Sequence, residues 1–105
     1  MNFSQLGLNA ELQSAAAHAG FTTPTPVQCE AIAHVLNGRD VLTIAQTGSG
    51  KTAAYVLPVL QRLMATAASR DAAPKKRITH VLVLVPTREL ATQVSDVLRD
   101  LARPL

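Results

Sequence analysis

The chain has 105 residues, close to half of them apolar, with a formal charge of +3. That length allows one small domain at most, and the apolar content argues against general disorder. The charge is compatible with a polyanionic partner but too small to argue for one by itself. Aromatics are limited to Phe3, Phe21 and Tyr55, so base stacking rests on very few side chains. Cys29 is the only cysteine, which excludes an internal disulfide and fits a reducing compartment. The opening Met1-Asn2-Phe3-Ser4-Gln5 has no basic segment leading into an apolar one, and no apolar run approaches membrane-spanning length. A cytoplasmic location without membrane attachment is expected.

In chain order, the first predicted element is a helix from Ala10 to Ala19, capped by Asn9 and stopped by Gly20. Leu8, Leu12, Ala15, Ala16 and Ala19 fall on its inner face. After the turn Phe21-Thr22-Thr23-Pro24, Thr25 caps a second helix with Pro26 at its first position. Val27, Ala31, Ile32 and Val35 form its apolar face, and Asn37-Gly38 ends it. Val41 to Ala45 is predicted as a buried strand, and Gln46 to Gly50 as a glycine-rich turn into a third helix that Pro58 should kink. The stretch from Ala65 to Arg77 is small, polar and then basic, as in an exposed connection. Ile78 to Val85 is the run expected of a parallel strand covered on both faces. Pro86 ends it, Thr87 caps a final helix, and Leu90, Val94, Val97, Leu98 and Leu101 make its buried stripe. Alternating strands and helices predict an α/β fold with parallel strands and flanking helices.

The strongest chemical signal is Ala45-Gln46-Thr47-Gly48-Ser49-Gly50-Lys51-Thr52, a phosphate-binding loop with Ala in place of the usual first Gly. Glycines let backbone N–H groups curl around a phosphate, and the following helix turns its partial positive charge toward the anion. Lys51 is placed to reach the outer phosphates, and the Thr52 hydroxyl to reach Mg²⁺. A plain strand–helix turn is the bland alternative, and the loop alone does not choose a base.

Gln28 offers a donor and an acceptor that suit adenine N7 and N6. Thr25-Pro26-Val27-Gln28 is equally a helix capping box, and on spacing alone capping is the simpler role. Phe3 and Phe21 would by default be core residues.

The segment Gly20 to Gln28, with Phe3 seventeen residues before Gly20, resembles the Q motif of DEAD-box ATP-dependent RNA helicases. Ala45 to Thr52 resembles that family's motif I, Ala included, and Pro86-Thr87-Arg88-Glu89-Leu90-Ala91 its motif Ia. The resemblance implies the N-terminal portion of a first RecA-like domain over residues 1–105. It implies ATP with Mg²⁺ as ligand, with Phe3, Gln28 and Ala45 to Thr52 at the nucleotide. It implies sequence-independent contact of Pro86, Thr87 and Arg88 with RNA backbone, for which a helix start, a hydroxyl and a guanidinium are suited. By default Thr87 would be a cap and Arg88 a solvated charge.

The acidic residues are Glu11, Glu30, Asp40, Asp71, Glu89, Asp96 and Asp100, and none follows a third buried strand as the family's metal-holding carboxylates do. The family's Asp-Glu-Ala-Asp and Ser-Ala-Thr motifs and its second domain are absent from these residues, so the chain alone is expected not to hydrolyse ATP. In RecA-like domains the two strands present here are not neighbours. Either a gap with open edges remains, or the strands close up and pair, and association with the missing helicase domain or with a second copy is expected. The alternative functional reading is a non-catalytic adenine-nucleotide-binding or interaction module. A small-molecule kinase is a weaker possibility, since it leaves the Thr25–Gln28 and Pro86–Ala91 segments without a role. His18, His34 and His80 have no metal-ligand spacing, and Cys29 is expected to be a small helical filler.

Overall fold

A computed structural model describes residues 2–46, 48, 50–68 and 79–105. A short 3-10 turn, Phe3–Gln5, precedes four helices: α1 (Ala10–His18), α2 (Pro26–Leu36), α3 (Lys51–Ala68) and α4 (Arg88–Ala102). Local chemistry explains their ends. Asn9 Oδ1 accepts from the Leu12 N–H at 2.8 Å, and Thr87 Oγ1 accepts from the Leu90 N–H at 3.2 Å. α1 closes with Phe21 N–H to Ala16 C=O at 2.8 Å, and α2 with Arg39 N–H to His34 C=O at 3.1 Å. In both, a glycine at positive φ turns the chain away, Gly20 and Gly38.

α2 packs most extensively on α3, while α4 lies on α3 and α1. Leu12, Ile32, Leu57 and Leu101 are fully buried at the centre, joined by Phe3, Leu6 and Leu8 from the N-terminal segment. A smaller cluster of Val27, Ala31 and Ala54, with Ala45 against it, joins α2 to the start of α3. This second cluster lies beside the glycine-rich loop, so packing of α2 on α3 sets where that loop leaves the core.

Several expectations need correction. No strand forms among the described residues, so the parallel pairing expected of Val41–Ala45 and Ile78–Val85 is not present. The physical reason is that each segment needs partners at its edges, and the two do not pair with each other. Leu42 and Ile44 are 90% and 93% exposed, and Leu82 and Leu84 are 77% and 84% exposed. Val81 and Val83, which alternate with them, are about half as exposed, so the two-residue alternation of a strand persists without a sheet. α3 contains Pro58 and reaches Ala68, taking in the first residues of the expected connection. The remainder of that connection and Ile78 lie outside the described residues. Leu90 is exposed rather than buried, because only the later turns of α4, with Val94 and Leu101 buried, lie against the core.

Candidate nucleotide-binding site

α3 begins at Lys51, directly after the loop, and Gly50 supplies the carbonyl that opens the helix, accepting from the Ala54 N–H at 3.2 Å. Gly48 and Gly50 adopt φ of +83° and +86°, a region open to glycine and costly for other residues. At Gly50 space imposes a second demand. A Cβ there would sit 2.4 Å from Gln28 Nε2 and 3.1 Å from Thr25 Oγ1. Thr47 and Ser49, both expected at the phosphates, lie outside the described residues.

The close approach is a hydrogen-bonded one. Gln28 is 1% exposed, and its carboxamide bridges two elements. Oε1 accepts from the Thr25 N–H at 3.0 Å, and Nε2 donates to the Gly50 carbonyl at 3.1 Å. The first bond is the well-formed half of the Thr25–Gln28 capping box. The second ties α2 to the loop ahead of α3. Of the roles anticipated for this segment, the cap is visible, and the same amide also reaches the phosphate loop. A carboxamide carries two N–H groups and two acceptor lone pairs, so one of each remains. Thr25 Oγ1 is buried beside Gly50 without a hydrogen-bond partner.

Among the other expected site residues, Ala45 is half-buried against the cluster of Val27, Ala31 and Ala54, and Gln46 is exposed. Lys51 is exposed, and Thr52 is half-buried in the first turn of α3. Phe3 is 6% exposed and packs in the central cluster. Pro86, Thr87 and Arg88 are exposed at the start of α4, where the Thr87 hydroxyl caps the helix. The structure thus brings Thr25, Gln28 and Gly50 together, sets Ala45 against the adjoining α2–α3 cluster, and packs Phe3 in the central cluster with Ile32 and Ala53. Among the described residues no group of three or more His, Cys, Asp or Glu is placed to hold a metal ion. No described helix is long and apolar enough to cross a membrane.

Sequence reasoning missed the bond from Gln28 Nε2 to the Gly50 carbonyl and the closeness of Thr25 to that glycine. Their one signal was a glycine immediately before the loop lysine, which the phosphate role alone already explained.

Comparison with known proteins fits this geometry. The chain is 48% identical over 101 residues to the ATP-dependent RNA helicase DeaD of Escherichia coli K12, covering 96% of this chain and 15% of that protein. It is 50% identical to the ATP-dependent RNA helicase SrmB of the same organism, covering 96% of this chain and 22% of the relative. The chain thus spans about a fifth or less of the length of these curated relatives. Among solved structures, the RNA helicase Prp28 from Chaetomium thermophilum bound to ADP superposes with a TM-score of 0.83 at 38% identity, over 98% of this chain and 24% of that one. A DEAD box protein from Methanococcus jannaschii superposes with a TM-score of 0.78 at 33% identity, over 96% of this chain and 25% of that one. The family model for DEAD/DEAH box helicases matches residues 25–105, most of the chain, and the protein belongs to that family.

Proposed function

We propose that this chain is the adenine-nucleotide-binding and RNA-contacting part of an ATP-dependent RNA helicase, and that it holds nucleotide without turning it over alone. The observation that carries the proposal is the bridge from Gln28 to Gly50, which joins the helix bearing a base-reading amide to the loop bearing Lys51. The positive-φ glycines and the free start of α3 suit the phosphates, and the Lys51 ammonium suits their outer charge. The Thr52 hydroxyl would be one ligand of a Mg²⁺ ion that the phosphates also hold. Gln28 keeps one N–H and one lone pair for adenine, although its near-complete burial requires a small local opening before they are reached. Phe3, nearly all of it buried, would lie beside the base with the little of its surface that stays open. Arg88 and the start of α4 would grip RNA phosphates without reading bases.

The same reading assigns residues 41–45 and 78–85 to a RecA-like parallel sheet whose neighbouring strands come from outside these 105 residues. The alternating exposure of Leu82 and Leu84 against Val81 and Val83 supports it. Two titrations test the proposal. Mg-ATP should outcompete Mg-GTP for the chain, and equal competition would remove the role given to Gln28. RNA binding should be weak and indifferent to sequence, with the shallow salt dependence of a few phosphate contacts. Strong discrimination between RNAs of equal length would contradict backbone-only contact.

A further inference from the structure

α3 is held by a second glutamine, on the far side of its proline. Gln61 Oε1 accepts from the Asn9 N–H at 2.6 Å, and Gln61 Nε2 donates to the Gly7 carbonyl at 2.9 Å. One carboxamide thus satisfies a backbone donor and a backbone acceptor two residues apart, in a segment more than fifty positions away in sequence. Pro58 lies between this bridge and the loop. Having no N–H, proline cannot donate to the Ala54 carbonyl, so the helix is weakest to bending between Ala54 and Pro58. Gln28 fixes the stretch before that point through Gly50, and Gln61 fixes the stretch after it through Gly7 and Asn9.

We infer that Gln61 is a positioning residue for nucleotide binding. By pinning α3 beyond Pro58 to the N-terminal segment, it sets the angle at which Lys51 and Thr52 meet the phosphates. The inference rests on the nucleotide-binding reading above. Gln13 provides an internal control, because its Nε2 donates to the Leu8 carbonyl at 2.7 Å and so ties the same segment to α1 instead of α3. Gln13→Leu removes a segment contact without touching the clamp on α3.

The experiment uses the 105-residue chain and follows the Gly48 and Gly50 amide resonances during Mg-ATP titration, with thermal unfolding in parallel. Gln61→Leu should weaken binding roughly five- to tenfold, the effect of losing one or two neutral hydrogen bonds. Gln13→Leu should lower thermal stability without that loss of affinity. In the wild-type chain Mg-ATP should also slow hydrogen exchange at the Asn9 amide more than at the Leu12 amide, which is bonded within α1. This readout stands even if Gln61→Leu fails to fold. Equal affinity losses in the two variants, or Asn9 exchange indifferent to saturating Mg-ATP, would overturn the positioning role while leaving nucleotide binding intact. No shift at Gly48 or Gly50 in the wild-type chain would overturn the nucleotide-binding reading itself, and the role of Gln61 with it.

Discussion

At the scale of single residues, Gly50 is the most constrained position beside the loop. It combines a positive φ with a carbonyl that accepts from both Ala54 N–H and Gln28 Nε2. Gly50→Ala should therefore destabilise the chain by about 1–2 kcal/mol from backbone strain, with a further cost from displacing Gln28. Urea unfolding would measure it, and a loss below the strain term would mean that the loop relaxes freely. Gln28→Ala removes both bonds of the buried carboxamide and leaves the Thr25 N–H and Gly50 carbonyl short of partners. A loss of about 2–3 kcal/mol is expected, combining a cap with a buried polar contact. Nucleotide affinities of that variant are therefore to be compared under conditions where it remains folded. The cap was legible in the sequence because Thr25 and Gln28 are three residues apart. The bond to Gly50 was not, because it joins positions twenty-two apart that meet only once α2 packs on α3. The core placement of Phe3 followed from its chemistry.

At the scale of elements, helix boundaries were legible for a local reason. Asn9, Thr25 and Thr87 stand immediately ahead of apolar periodicity, and glycines follow the ends of α1 and α2. The strands were legible only as composition. A strand needs partners, and those are set by residues far away in sequence, so the apolar runs 41–45 and 79–85 remain without a sheet among the described residues. Leu90 misled the reading in the same way, since its periodicity marks the apolar side of α4 but not which turns of that side reach a neighbour. The exposed alternation yields a prediction. Replacing Leu82 and Leu84 together with lysine should reduce association of the chain without lowering its thermal midpoint, because neither side chain is buried. Sedimentation velocity and thermal unfolding would read the two effects. A large fall in the midpoint would show that these leucines already support the fold.

At the scale of the whole molecule, the chain combines a packed four-helix core with apolar segments that lack a sheet. Such surface favours association, and the +3 charge does little to oppose it. Turnover is a separate matter from binding. The loop offers Lys51 and Thr52, but the acidic residues lie at positions that do not follow a third strand, so no steady ATP hydrolysis is expected with or without RNA. A phosphate-release assay that detected turnover abolished by Lys51→Ala would contradict this.

The central claim is that these residues form a nucleotide-binding unit through the loop ahead of α3. Its most direct measurement is an amide-resonance titration of the chain with Mg-ATP, run in parallel on Lys51→Ala. Lys51 is exposed, so its replacement should leave stability within about 0.5 kcal/mol. The account predicts weak, saturable shifts centred on Gly48, Gly50 and Thr52 in the wild-type chain and their loss in the variant. Unchanged binding by Lys51→Ala, or shifts centred elsewhere in the fold, would contradict it.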